Sequence, residues 1–149
     1  MTESTEIIFD IEKIMEIIPH RYPFLLVDRV TQVVDGEMIT GYKNLTMNEE
    51  FYQGHFPGKP VMPGVLQIEA MAQLGAVLLL SKEENKGKIP FFMSVNNCKF
   101  RKPVVPGDRL VMEVTVTKLR GKTGQVAAKG SVDGNVVVQA DLMFALADK

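Results

Sequence analysis

The stretch Gly54–Gln73, GHFPGKPVMPGVLQIEAMAQ, joins a stiff, histidine-bearing loop to a helix that reads as apolar on nearly every side. Phe56-Pro57-Gly58 and Met62-Pro63-Gly64 bracket the loop, where proline and glycine fix the backbone by opposite means. From Gly64 good helix formers continue, almost all apolar, as far as Leu80. A helix that is hydrophobic around its whole circumference lies at the centre of a fold. Its polar residues Gln67, Glu69 and Gln73 are the exceptions. Glu69 and Gln73 stand four apart and share one face. A carboxylate in that setting has either a partner or a task.

Upstream, Asp10 caps a short helix whose Ile11, Ile14, Met15 and Ile18 form one stripe, and Pro19 stops it. His20-Arg21-Tyr22-Pro23 predicts a turn into a strand from Phe24 to Val34. Asp35-Gly36 then makes a hairpin with a returning strand, Glu37 to Leu45. Downstream of the helix and a charged segment, 82–88, the chain reads as all strand. Extended pieces are expected at 90–97, 98–101, 109–120 and 125–133, with a bend at Pro103 and Pro106-Gly107-Asp108. Gly134-Asn135 turns the chain into a last strand, 136–146. There Val136, Val138, Ala140, Leu142, Phe144 and Leu146 share one face, the period-two pattern of a sheet covered on one side. The expected fold is α+β: a curved antiparallel sheet of five or six strands wrapped around one long central helix. One domain spans 1–149, with residues 1–6 frayed. A single helix leaves part of such a sheet uncovered, so at least a dimer is expected.

The totals agree. With 149 residues, 46% apolar and 23% charged, the chain has room for one proper core and little more. A net charge of -1 gives no global attraction to nucleic acid. One cysteine, Cys98, excludes an internal disulfide and suits a reducing compartment, so a cytoplasmic protein is expected. The start carries no basic, then greasy, leader pattern, and no apolar run is long enough to span a bilayer. Two histidines and one cysteine, far apart in the chain, make a metal site unexpected, and no cofactor is called for.

Four motifs in order carry a family resemblance over about Ile11 to Phe144. They are HRYPFLLVDR from His20, GHFP from Gly54 with PVMPGVL from Pro60, EAMAQ from Glu69, and KFRKPV from Lys99 with Pro106-Gly107-Asp108. Together they resemble the (3R)-hydroxyacyl-acyl carrier protein dehydratases of the FabZ type. The resemblance implies a hotdog fold and a homodimer as catalytic unit, often three times repeated as a hexamer. It also implies water loss from a 3-hydroxyacyl thioester to give the trans-2-enoyl thioester in fatty-acid elongation. Such chemistry needs a base for the proton next to the carbonyl, an acid for the leaving hydroxyl and a donor for the carbonyl oxygen.

By resemblance His55 is the base, since an imidazole is able to start neutral and accept a proton. Glu69 delivers or organises the proton for the leaving hydroxyl, directly or through water, and an apolar setting favours its protonated form. The Gly64 N–H at the helix tip polarises the carbonyl, with Val65, Phe56, Pro57, Gln73 and Phe91 around the substrate. His55 of one subunit is expected to face Glu69 of the other. Decanoyl-type dehydratase-isomerases are the close competitor and carry aspartate where Glu69 stands. Many relatives have a tyrosine gate where this chain has Phe91.

Plainer readings stand beside these. His55 as a loop histidine and Glu69 as an ion-pair partner of Arg21 or Lys59 are the structural alternatives. His20 reads as a strut at a turn, outside the site. Asp108 reads as a turn-former, and neither it nor Asp28 is assigned to chemistry. Lys99, Arg101 and Lys102 form the densest basic cluster, a solvated strand edge or a landing patch for the acidic acyl carrier protein. Lys99 and Arg101 alternate around Phe100, which is expected to line the interior. A hotdog thioesterase and a non-catalytic acyl-binding module are the rival functions.

Overall fold

A computed structural model describes residues 7–148; the frayed start expected over residues 1–6 lies outside them. Helix α1, Ile11–Ile17, begins as the sequence requires, with the Asp10 carboxylate accepting from the Lys13 N–H at 2.9 Å. Its open C-terminal end is closed by Arg21, whose guanidinium donates to the carbonyls of Met15, Ile18 and His20. Arg21 is therefore committed to a helix end and is no partner for Glu69.

Six antiparallel strands follow: β1 Arg29–Val34, β2 Met38–Asn44, β3 Ile89–Phe100, β4 Arg109–Arg120, β5 Thr123–Val132 and β6 Asn135–Ala147. They form one sheet in the order β1-β2-β4-β5-β6-β3. Helix α2, Gly64–Leu80, connects β2 to β3 and packs across β2, β4, β5 and β6. Ala70, Met71, Leu74 and every residue from Ala76 to Leu80 are at most 3% exposed, which is the all-round burial the sequence predicts. Burial of Leu74, Leu78, Leu79 and Leu80 contributes about 2 kcal/mol each. The sheet comes close enough to touch because Gly41 of β2 lacks a side chain: a Cβ there would meet Leu74 Cδ1 at 2.9 Å and the Arg29 carbonyl at 2.5 Å.

Three expectations need correction. Strand β1 starts at Arg29, not Phe24, because the backbone of Phe24 and Leu26 is bonded to a side chain of α2 instead of a neighbouring strand. The extended pieces 90–97 and 98–101 are one strand, β3, with irregular pairing at 92–94 and 96–99. In β6 the buried set is Val137, Val138, Ala140, Leu142, Phe144 and Leu146. Val136 is only half-buried, because a pairing shift at Gly130/Ser131 breaks the alternation there, and the turn before it is centred on Asp133-Gly134.

The two sheet edges differ. Residues Ile8 and Phe9 hydrogen-bond to Val30 and cover part of β1. Among the described residues strand β3 pairs only with β6, and Phe91, Phe92, Met93, Val95 and Phe100 are each more than 40% exposed. A long, apolar, unpaired edge is one that a further strand covers. Among the described residues no helix is long and apolar enough to cross a membrane.

Candidate active site

Two groups of residues stand apart in one chain. The first is the loop ahead of α2. A short 3-10 turn, Glu50–Gln53, leads into Gly54 and His55, both bonded back to the Phe51 carbonyl. Phe56 and Lys59 exchange backbone hydrogen bonds at 2.9 and 2.8 Å, closing the Pro57-Gly58 turn. Val61 N–H donates to the His55 carbonyl, and His55 Nδ1 lies 2.7 Å from the Val61 carbonyl. A carbonyl only accepts, so Nδ1 carries the proton and Nε2 is left with a lone pair. This is the tautomer a base needs. Phe56 stacks beside the ring, 3.8 Å between centroids.

Met62 N–H bonds to Val104, and the buried Gln67 donates to the Met62 carbonyl at 3.2 Å, so the loop is tied from below. The Gly64 and Val65 amides open α2, and neither donates a backbone hydrogen bond among the described residues. Gly64 is required by contact: a Cβ would lie 2.7 Å from the Phe100 ring. Phe100 is thus not an interior residue, as expected from alternation, but a half-exposed ring laid on the helix tip. Val65 is 71% exposed and Phe56 52%.

The second group surrounds Glu69. A small cavity of about 30 Å³ is formed by Glu69, Ala72 and Gln73 of α2, Pro90, Phe91 and Phe92 of β3, Phe144 of β6, and His20. His55 does not line it. Gln73 Nε2 donates to Glu69 Oε2 at 2.8 Å and to the Phe24 carbonyl at 2.7 Å, while its Oε1 accepts from Leu26 N–H at 2.7 Å. Both its donors are spent on protein and it is 1% exposed. Gln73, expected to contact substrate, instead holds Glu69. Burial pushes the Glu69 carboxyl above its ordinary value, and the Gln73 hydrogen bond offsets part of that rise.

His20 is the residue the sequence reading left out. Its Nε2 lies 3.7 Å from Glu69 Oε2, with the two side chains 18% and 17% exposed. The only signal for it in the sequence is the motif that holds it, since its contact with Glu69 is made across 49 residues of chain. Phe91, 56% exposed, forms part of this cavity.

The remaining candidates have plain roles or open ones. Asp28 Oδ2 accepts from Asn44 N–H and Asp108 Oδ2 from Val105 N–H, so both brace turns. Lys99, Arg101 and Lys102 are exposed, and Arg101 donates twice to Gln139 Oε1, at 3.1 and 3.0 Å.

Comparison with known proteins places this geometry in context. The family described as FabA-like domain matches residues 18–141. A 3-hydroxyacyl-[acyl-carrier-protein] dehydratase FabZ of Bacillus licheniformis is 57% identical over 140 residues, 94% of this chain and 97% of that one. The proteins of the same name from Bacillus subtilis and Clostridium botulinum are 55% and 56% identical over 93% and 92% of this chain, and over 99% and 95% of their own lengths. Among solved structures, the dehydratase heterocomplex ApeI:P of Xenorhabdus doucetiae superposes with a TM-score of 0.79 at 19% identity, covering 91% of each chain. A hypothetical thioesterase of Streptococcus pneumoniae superposes at 0.61 with 10% identity, over 80% of this chain and 85% of that one. At such identities the structures share the hotdog fold and nothing more.

Proposed function

The chain belongs to the FabA-like family and, within it, to the FabZ type of 3-hydroxyacyl-acyl carrier protein dehydratase, and from that premise we infer a site in which Glu69 works with His55 of the partner subunit. The reaction is loss of water from a 3-hydroxyacyl chain held on acyl carrier protein, in fatty-acid synthesis. Glu69 in place of aspartate favours plain dehydration. His55 Nε2 takes the proton from C2, the C–H electrons become the C2=C3 double bond, and the C3–O bond breaks. Glu69 gives its proton to the departing oxygen, which leaves as water. Each cycle ends with the proton returned from imidazolium to carboxylate.

During the reaction negative charge builds on the thioester oxygen. The Gly64 amide, at the positive end of a 17-residue helix, would hold it. Val65, Phe56 and Pro57 would line the thioester end of the channel, and Phe91 the acyl end. The Phe91 ring narrows the channel by bulk, without the hydroxyl of a tyrosine gate.

The observation that carries the two-subunit reading is the composition of Glu69's cavity. It holds the acid and its supports but not His55, and one of its walls is β3, the unpaired edge. A second copy pairing along β3 covers the exposed apolar edge and supplies the missing base. Three such dimers would make the hexamer that the resemblance implies. Lys99, near the end of this edge strand, with Arg101 and Lys102 just beyond it, forms the docking patch for the acidic carrier. Incubating the protein with 3-hydroxyacyl-carrier substrates of several lengths, and identifying products by mass and double-bond position, tests the reading. Enoyl product lost in both His55→Ala and Glu69→Gln is expected; full activity in either contradicts the assignment.

A further inference from the structure

His20 is turned toward the carboxyl that the proposed reaction uses. Its Nδ1 is buried and has no hydrogen-bond partner among the described residues, while its Nε2 points at Glu69 Oε2 across 3.7 Å. The two ring nitrogens are therefore unequal. An N–H at Nδ1 would be an orphaned buried donor, and such donors are rarer and costlier than a bare acceptor. A proton at Nε2 has the carboxyl oxygen in front of it. The gap is longer than a hydrogen bond, and catalytic hydrogen bonds in unliganded sites commonly tighten when substrate enters.

We propose that His20 is a positioning residue for the acid step, donating from Nε2–H to Glu69 Oε2 so that the acid proton is confined to Oε1. The inference rests on Glu69 being the acid. Two donors then converge on Oε2, Gln73 at 2.8 Å and His20 behind it. An oxygen that accepts two donors has no room for a proton of its own. Oε1, which has no hydrogen bond among the described residues, is left as the single protonation site. A carboxylic acid free to protonate either oxygen presents its hydrogen to the substrate only part of the time. Fixing it to one oxygen is pre-organisation of the proton.

Within the cavity only His20 and Glu69 titrate. Arg21 is the further charge that acts on His20, and in the proposed dimer His55 of the partner subunit joins them. Burial, with help from the Arg21 charge, depresses the His20 imidazole, so the ring is kept neutral. A neutral ring is what a single-donor role demands. The two histidines of the chain should then carry opposite tautomers: Nδ1–H at His55, Nε2–H at His20.

Two measurements on the full chain test this. First, ¹⁵N NMR of the imidazoles in wild-type protein, assigned with His20→Gln, reads the tautomers where both rings are neutral. Nε2–H at His20 is expected; Nδ1–H there overturns the proposal, whatever any variant does. Second, steady-state kinetics with a 3-hydroxyacyl N-acetylcysteamine thioester compare His20→Phe, which keeps bulk, with His20→Gln, whose amide reaches the same place as Nε2. His20→Phe should lose roughly tenfold or more in kcat with KM within about threefold. Its alkaline kcat limb should move upward, because losing a donor to the carboxylate raises the Glu69 pKa. His20→Gln should recover most of kcat. An unaltered kcat and limb in His20→Phe, or a folded His20→Gln no better than His20→Phe, overturns the proposal. Glu69→Gln separates the two layers: if it is fully active, the Glu69 reading falls and takes this one with it, whereas an inactive Glu69→Gln beside a normal His20→Phe sinks the His20 role alone.

Discussion

Gln73 spends one amide on two jobs: it donates to Glu69 Oε2 at 2.8 Å and ties down the backbone of the Phe24–Leu26 segment. The residue that orients the proposed acid is thus also a fastener of the fold. Replacing it by Met removes three hydrogen bonds and leaves the buried Leu26 N–H and the part-buried Phe24 carbonyl without their partner. Each orphan costs about 1–3 kcal/mol, so Gln73→Met should be at least about 2 kcal/mol less stable in urea unfolding. Its kcat should also fall, since Glu69 loses its closest donor.

The helix tip gives a sharper steric test. A Cβ at Gly64 meets the Phe100 ring at 2.7 Å, so the ring or the helix end must move. Gly64→Ala should cost about 1–3 kcal/mol and at least roughly tenfold in kcat, because a displaced amide no longer meets the developing oxyanion. Adding Phe100→Leu should recover stability, and kcat with it. Melting temperatures and kcat of the single and double variants check this together.

The raised Glu69 carboxyl links stability to pH. A group that holds its proton more tightly when folded stabilises the fold fully below its unfolded value, near 4.5, and loses that contribution as pH rises through the higher folded value. Glu69→Gln removes the burden of a buried ionised group. The variant should therefore equal the wild type or fall below it at acid pH and exceed it at neutral pH. Unfolding free energies measured across pH 4–8 should cross or diverge in that sense; a constant difference would show that burial does not act on this carboxyl.

Carrier docking has its own signature. Arg101→Glu breaks the exposed pairing with Gln139, a contact worth little to stability. It should raise KM for a carrier-bound substrate severalfold, less so at high salt, and leave turnover of a small thioester unchanged. Equal effects on both substrates would remove the docking role.

Much of this molecule is written in local patterns. The apolar circumference of α2 predicts its burial, the alternation of Val138, Ala140, Leu142, Phe144 and Leu146 predicts their buried face, and Asp10 marks the start of α1. What local pattern misses is long-range and polar. Gln73 captures backbone 47 and 49 residues away, which shortens β1 and converts an expected substrate contact into a support. His20 meets Glu69 only once the segment after α1 has folded over α2. Phe100 is exposed like Lys99 and Arg101 on either side of it, since the pairing of the edge strand β3 is irregular at 96–99, so alternation cannot say that its ring lies on Gly64. Edge position is a property of the whole sheet and of what covers it.

The shared site is tested most directly by mixing two inactive proteins. His55→Ala and Glu69→Gln, each purified alone, should show little dehydration. After subunit exchange, half of randomly formed dimers are mixed, and each mixed dimer carries one intact site of two, so about a quarter of wild-type activity should return. If exchange is demonstrated and no activity returns, the base and the acid do not come from different chains, and the account of this site is wrong.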